Sequence, residues 1–385
     1  MRLLFCSRPA FGHLYPMMPL ANAARAAGHD VTFAIAGEFV GRLERLGYRT
    51  LDVGLTFEEA FGQFAASGYP NGLPRDDDGR PDLDAGGHLF VNVFGRTTAA
   101  DLAPRLDDLA PDLVVYEHYD IGAGVAARAA GIPSVALRVS PFMPAPVERR
   151  YLGGKVAALY ADFGVPIDES AGEAEPFIDL FPAAVQEPRA ADRPNRLPLR
   201  HTSYSDPGAV VPRWIGSGDR PLVYVTLGTV VSGDDQLRPA IEAVAALDAE
   251  VLVTLGNAEG AALGALPANV RIAQFVDQGA VLDHAALAVH HGGSGTMLDC
   301  LSRAVPQVVL PKGADQFINA DLLVAAGLAA VLEPADASTE AISDAARRTI
   351  GTSSPALSAV RRRIAEMPDA DAALDALAAL APVVA

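Results

Sequence analysis

Cysteine is almost missing from this chain: among 385 residues only Cys6 and Cys300 occur, in opposite halves and without Cys-x-x-Cys spacing. Neither a disulfide framework nor a zinc knuckle can be assembled from that pair, and two isolated buried thiols are expected. Lysine is as scarce, with only Lys155 and Lys312, and the formal net charge is -17. Phosphate-backbone binding relies on Lys and Arg releasing counterions, so no nucleic acid is expected as a partner. Long apolar runs are lacking too. A bilayer span takes about 20 apolar residues, and the run that follows Met1 is too short for a signal-peptide core. A cytoplasmic protein with no membrane partner is the expectation.

What is present is a chain of half apolar composition, too long for one ordinary core, so two domains are expected. Short β-branched or apolar runs alternate with Ala-rich helical runs, the pattern of an α/β fold with a parallel sheet covered by helices. In the first half, Arg2–Ser7, Asp30–Ile35, Asp112–Glu117 and Ser134–Val139 read as strands. Helices are expected over Pro16–Ala27, Glu38–Leu46 and Ile121–Ala130, the first two closed by Gly28 and Gly47 as left-handed caps. The second half repeats the scheme, with strands at Leu222–Leu227, Val251–Leu255, Val270–Phe275, Ala288–His291, Gln307–Leu310 and Ala329–Leu332. Pro188–Gly218, rich in Pro and Arg, reads as the connection between the halves. Gly54–Gly95 and Pro141–Phe181 read as long insertions, either binding loops or surface excursions.

One junction stands out. Ala288-Val-His-His-Gly-Gly-Ser-Gly-Thr296 takes a strand into a glycine turn that opens an apolar helix. Such a turn presents unpaired backbone N–H groups and the positive end of a helix dipole, and Ser294, Thr296 and His291 add further donors. An anion such as a diphosphate fits, and so does a close-packed structural turn. The lysine of a P-loop is absent, the nucleophile elbow of hydrolases fails because Thr296 stands where glycine is required, and no dinucleotide fingerprint is completed.

The segment Ala288–Gln316 resembles the donor-binding signature of nucleotide-sugar glycosyltransferases of the GT-B fold, the inverting, UDP/TDP-sugar-dependent family 1 type, bacterial natural-product group. Its two parts are His290-His-Gly-Gly-Ser-Gly-Thr296 and the later Asp315-Gln316 before an apolar helix. The resemblance implies two Rossmann-like domains facing each other across a cleft, with a C-terminal helix crossing back to the first. The corresponding boundaries are 1–205 for acceptor binding, 206–365 for donor binding and 366–385 for the returning helix. It implies that His291, Gly293, Ser294, Gly295 and Thr296 hold the diphosphate, that Asp315 and Gln316 bind sugar hydroxyls, and that Thr229 faces the phosphates. Phe275-Val-Asp-Gln278 is similar to the family's Trp-x-Pro-Gln segment, which implies Phe275 stacking on the base, Val276 bonding it through the backbone and Gln278 lining the pocket. Asp277 replaces the usual proline.

Transfer to a hydroxyl needs a base. Phe11-Gly-His13-Leu-Tyr-Pro16 follows the first strand, at the sheet edge where α/β proteins bind ligands. Histidine, with a reference pKa of about 6.5, accepts a proton near neutrality; a helix-capping histidine is the plainer alternative. The resemblance implies that His13 is the catalytic base, supported by a carboxylate at the end of the strand closing with Glu117. Glu117 occupies the matching position and Asp120 is its rival. An imidazolium formed in the transition state is favoured by such a partner.

The reading that follows is inverting displacement without metal or cofactor other than the nucleotide sugar, probed by EDTA, with no Asp-x-Asp pair between strands read as a divalent-ion site. Uridine and thymidine diphosphate sugars are the donors that the resemblance implies, the short bacterial signature leaning toward thymidine diphosphate deoxysugars, with an apolar natural-product aglycone in antibiotic biosynthesis as acceptor. Phe61, Phe90, Phe94, Phe142 and Met143 are candidates to line its pocket, or to anchor their own loops. The chain is expected to act as a monomer or homodimer. A catalytically silent nucleotide-sugar binding or auxiliary protein, and a GT-B epimerase, are the competing functions.

Overall fold

The computed structural model describes residues 1–70, 72–76, 79–165, 175–228, 234–256 and 263–380. The chain divides into two compact units. One takes Met1–Leu180, Glu187–Arg200 and Pro368–Ala385, and the other takes Phe181–Gln186 and His201–Met367.

The first unit is built on a seven-stranded parallel sheet: β1 (Arg2–Cys6), β2 (Asp30–Ile35), β3 (Arg49–Asp52), β4 (Leu113–Glu117), β5 (Ser134–Arg138), β6 (Phe177–Asp179) and β7 (Arg196–Pro198), in the order β3-β2-β1-β4-β5-β6-β7. β1 and β4 are buried along nearly their whole length, as a central parallel strand covered on both faces must be. The chain winds one way from β1 to β3 and the other way from β4 to β7, so the order reverses between β1 and β4. In α/β sheets that reversal opens a crevice beyond the carboxyl ends of the two strands. Here the register sets Cys6 beside Tyr116, which brings Ser7 and Arg8 next to Glu117.

The second unit repeats the plan with six parallel strands: β8 (Leu222–Thr226), β9 (Glu250–Thr254), β10 (Val270–Ala273), β11 (Ala285–His290), β12 (Gln307–Val309) and β13 (Ala330–Val331), in the order β10-β9-β8-β11-β12-β13. Successive strand residues face opposite sides. Val223, Val225, Val251, Val253 and Val289 meet Leu237, Ile241, Val244 and Ile342 from the helices Asp234–Ala245 and Thr339–Thr349. Leu222, Tyr224, Leu252 and Ala288 meet Val281, Leu282 and Cys300 on the other face. Here the order reverses between β8 and β11, and His290 pairs with Thr226.

Gly28 and Gly47 both stand at φ +81°, the left-handed stops expected after the first two long helices. Both cysteines are free and buried. No helix among the described residues is long and apolar enough to cross a membrane. The C-terminal helix Ala370–Ala378 packs on the helix Met18–Ala26, within the first unit.

Three strands were not legible in sequence. β3, β6 and β7 are three or four residues long, and their places are seen only in their parallel pairing with β2, β5 and β6. β6 lies in a segment read as an insertion and β7 in the segment read as a connection. Among its described residues, Gly54–Gly95 likewise carries three helical segments. Thr56 caps Phe57–Ala66 through a reciprocal capping box with Glu59, and Leu83–Gly87 runs into a π-helix at His88–Gly95. Phe64, Leu89 and Phe94 are buried in a core of their own between these helices.

Candidate active site

In the first unit, β1 ends at Cys6 and the chain turns through Ser7-Arg8-Pro9 into the short helix Phe11–Leu14, which carries His13. β4 ends at Glu117, whose carboxylate is fully buried. His13 Nδ1 stands 3.0 Å from Glu117 Oε1, with the imidazole side chain 18% exposed. That separation is within hydrogen-bonding range, and the contact favours the ionised carboxylate. Glu117 Oε2 accepts the Tyr119 backbone N–H at 2.9 Å. Burial works against the Glu117 charge, but His13, Arg8 and the Tyr119 N–H outweigh it and hold the carboxyl below its ordinary value.

Arg8 was not singled out in sequence, and the structure puts it at the centre of this group. It is 2% exposed, with Nε 3.9 Å from Glu117 Oε1. Nη2 donates to the Phe90 carbonyl at 3.0 Å and also to the Tyr119 carbonyl. Its guanidinium lies 4.2 Å from the Phe94 ring centroid. Asp120, three residues beyond Glu117, is buried as well. Burial raises its carboxyl to about 6 against the pull of Arg8, with Glu117 adding to the rise. The two carboxylates therefore differ: Glu117 contacts His13, and Asp120 has the Thr98 hydroxyl as a hydrogen-bond donor. His118 is held neutral, its ring pushed well below the ordinary value by burial and then by Arg138.

Aromatic rings surround the imidazole. Tyr119 lies edge-on to His13 at 5.8 Å and Phe57 stands at 6.4 Å. Phe57 continues to Phe61 and Phe94, and Phe90 joins Phe94 to Tyr119. Phe61 and Phe90 are half-buried within this set, whereas Phe94 is 1% exposed and supports the wall from behind. Phe142 packs instead between Arg138 and Phe177, and Met143 follows it, half-buried.

In the second unit, the turn after β11 places Gly293 as the cap of the helix Ser294–Arg303. Gly293 has no side chain to cap with, and the first main-chain bond into that helix runs from the Met297 N–H to the Gly293 carbonyl. The amides of Ser294, Gly295 and Thr296 thus form the open helix end that attracts anions. The His291 ring lies against the backbone of Gly228 and Gly293. A Cβ at Gly228 would come within 2.8 Å of His291 Nε2, and one at Gly293 closer still. Burial lowers His291 to about 4, offset in part by a Thr226 backbone contact. The histidine before it is structural: His290 Nε2 donates to Gln307 Oε1 at 2.9 Å and its Nδ1 accepts the Gly292 N–H at 3.0 Å.

Asp315 and Gln316 open the next helix, Gln316–Ala325. Ser294 Oγ donates to Asp315 Oδ2 at 2.7 Å, so the serine hydroxyl proton is committed within the protein. Buried Asn319 binds the turn together through Nδ2, to the Gly292 carbonyl at 2.8 Å, Ser294 Oγ at 3.0 Å and Asp315 Oδ2 at 3.3 Å. Gln316 Oε1 accepts the Lys312 and Gly313 amides at 2.8 and 2.9 Å. Beyond the end of β10, Phe275 is 52% exposed and Val276 is partly buried. Asp277, in the place of proline, accepts the Ala280 N–H at 3.0 Å and caps the helix Gln278–Leu282. Thr229 lies outside the described residues.

A second polar centre escaped the sequence reading. Asp299, on the helix Ser294–Arg303, accepts from His201 Nε2 at 2.8 Å, from the Ser203 hydroxyl and from Gln278 Nε2 at 2.7 Å. Its signal in sequence was a single acid inside the apolar run Met297-Leu-Asp-Cys-Leu301. Asp82-Leu-Asp84 is committed locally: Asp82 caps the helix Leu83–Gly87 and Asp84 pairs with Lys155 at 2.6 Å. No cluster of three His, Cys, Asp or Glu side chains suited to a metal occurs among the described residues.

Two models of one family match the chain: the N-terminal domain of erythromycin biosynthesis protein CIII-like proteins over residues 22–228, and their C-terminal domain over residues 238–374. The chain belongs to this family. It is a GT-B glycosyltransferase of the family 1 natural-product type. It is similar to the L-demethylnoviosyl transferase of Streptomyces niveus, 32% identical over 85% of this chain and 84% of that protein. Among solved structures it is similar to the glycosyltransferase SnogD of Streptomyces nogalater, with TM-score 0.76 and 28% identity over 99% of both chains. The glycosyltransferase SsfS6 of Streptomyces sp. SF2575, complexed with thymidine diphosphate, matches with TM-score 0.77 and 25% identity over 98% of this chain and 99% of that one. The transferase thus carries an open helix N-terminus at the glycine turn of one unit and a histidine–carboxylate pair in the other.

Proposed function

We propose that this transferase moves a sugar from a thymidine diphosphate sugar to a hydroxyl of a polyketide-like aglycone, in one inverting step with His13 as general base. The observation that carries this reading is the 3.0 Å contact of His13 Nδ1 with buried Glu117 at the reversal point of the first sheet. Glu117 occupies Nδ1, which leaves Nε2 for the acceptor. Nε2 takes the hydroxyl proton as the acceptor oxygen forms its bond to the anomeric carbon. The bond from that carbon to the diphosphate oxygen breaks, and its electron pair leaves with the diphosphate. Glu117 stabilises the imidazolium that results.

The leaving diphosphate settles on the amides of Ser294, Gly295 and Thr296 and on the His291 imidazole. Fixed donors aimed at developing charge can carry such a step without a metal ion. Asp315 and the amide NH2 end of Gln316 would meet sugar hydroxyls. Phe275 would stack on the base, with Val276 and Gln278 beside it. The thymidine preference rests on relatives whose names include the TDP-daunosamine transferase DnrS and on the SsfS6 complex. Phe57, Phe61 and Phe90 would face the aglycone.

The test is mass-spectrometric detection of glycosides from the purified protein, with TDP and UDP sugars against mixed polyketide aglycones, alongside His13→Ala. Glycoside formation by the wild type and its loss in the variant is expected, and a fully active variant would remove His13 from the role. Activity lost to EDTA and restored by magnesium or manganese would refute metal independence.

A further inference from the structure

Glu117 is an anion sealed from water, and burial alone favours its neutral acid. A histidine that acts as base enters the reaction neutral, so the Coulombic part of its pull on Glu117 is then absent, and Arg8 and the Tyr119 N–H remain to favour the carboxylate. The titratable and charged groups that face it are few. From β1 and the turn after it come Arg8 and His13. His118, Tyr119 and Asp120 follow β4, Tyr151 comes from the helix Ala145–Leu152, and Arg138 lies beyond His118. His118 is neutral, Tyr151 is held protonated by burial, and Asp120 is acidic. That leaves Arg8 as the buried cation beside Glu117.

We propose that Arg8 is a positioning residue for the base: it keeps the Glu117 carboxylate charged and fixes the backbone that frames His13. The inference rests on the reading of His13 as base. The geometry is specific to a guanidinium. One face lies on the Phe94 ring, Nη2 donates to the Phe90 and Tyr119 carbonyls, and Nε is turned to Glu117 without a hydrogen bond of its own. A lysine ammonium offers the charge but not this planar fork. The carbonyls it holds belong to the π-helix His88–Gly95 and to the loop after β4, which also supply two rings of the aromatic wall, Phe90 and Tyr119. A π-helix held by a buried cation fits the tendency of π-helical turns to occur at functional sites.

The experiment compares wild type, Arg8→Met, Arg8→Lys and His13→Ala in transfer assays from about pH 5.5 to about pH 9, with a donor and aglycone that the wild type turns over. Without Arg8, Glu117 ionises only at higher pH. Arg8→Met should therefore lower kcat at neutral pH by about 10-fold or more and move the acid limb of the profile up by about one unit. The KM for the donor should stay within about two-fold. Arg8→Lys should restore the limb while kcat stays depressed. Thymidine diphosphate binding and a melting curve report whether each variant is folded. If Arg8→Met does not fold, Arg8→Met/Asp120→Asn, which removes one buried charge of each sign, is scored against Asp120→Asn. A folded variant with an unmoved acid limb and kcat within about three-fold of its parent overturns the proposal. If His13→Ala retains full transfer, the base assignment falls with it. If His13→Ala is dead and the limb stays put, only the role of Arg8 falls.

Discussion

Replacing Glu117 by glutamine changes one atom and tests the logic of the base. Oε2 of Glu117 accepts the Tyr119 N–H at 2.9 Å, and Oε1 faces His13 Nδ1 at 3.0 Å. A carboxamide has one acceptor, and the backbone N–H claims it, so the NH2 turns toward His13. Nδ1 must then accept, which places the imidazole proton on Nε2, the nitrogen assigned to receive the acceptor proton. Two losses combine. A charge-assisted contact replaced by a neutral one costs about 1.5–3 kcal/mol in a buried site, or roughly 10- to 150-fold in rate. The wrong tautomer adds more, and the corresponding change in a serine-protease triad costs about 10⁴-fold in kcat. We expect kcat for Glu117→Gln to fall between about 100- and 10⁴-fold, with thymidine diphosphate binding unchanged by calorimetry. The shorter carboxylate of Glu117→Asp should retain more activity than the amide. A Glu117→Gln enzyme within about three-fold of wild-type kcat would refute the tautomer argument, because the amide cannot satisfy Tyr119 and His13 as the carboxylate does.

Gly293→Ala places a methyl group against His291 Nε2; thymidine diphosphate affinity should fall about 10-fold or more with little change in melting temperature, and unchanged affinity would remove His291 from the cradle. Asn319→Leu strips three acceptors of a buried donor; urea unfolding should show a loss of about 2–3 kcal/mol, together with weaker nucleotide binding. Acid should destabilise the second unit. His290 is lowered to about 3 by burial and then by His291, and His291 to about 4 by burial, from an ordinary 6.5. The folded state binds fewer protons than the unfolded chain below that value, so this stability is complete above about pH 6.5 and is lost as pH falls toward the folded values. Asp120 has the opposite sign, losing stability as pH rises from 3.8 to about 6. Buried His118 in the first unit, also lowered, adds to the two histidines, and together they outweigh the raised acids Asp120 and Glu175, so the melting temperature should drop between about pH 7.5 and about pH 5; an equal or higher value at the lower pH would contradict the burial of those rings.

The strand-turn-helix junction at His290–Thr296 was legible because a strand end, glycines and a helix start fall within a few residues of one another. Gly-His13 after the first strand was legible for a similar reason. Asp277 was harder to place, since a proline was expected there, and only the backbone reveals that it ends the loop by capping a helix. Arg8 and Asp299 carried weak signals, a single charge beside or inside an apolar run. Such a charge takes its meaning from partners about 80 to 110 residues away, as Arg8 does from Phe90 and Tyr119.

Local chemistry determined the alternation of strands and helices, the glycine stops, the buried thiols and the two clusters of functional groups, because each depends on residues close in the chain. Tertiary structure decided which carboxylate meets His13, which rings surround it, and that a buried arginine lies beside both. Those outcomes follow from the parallel register that sets β1 beside β4 and β8 beside β11. Pairing of that kind joins segments with no sequence relation to one another, and burial then fixes which of their charges can coexist.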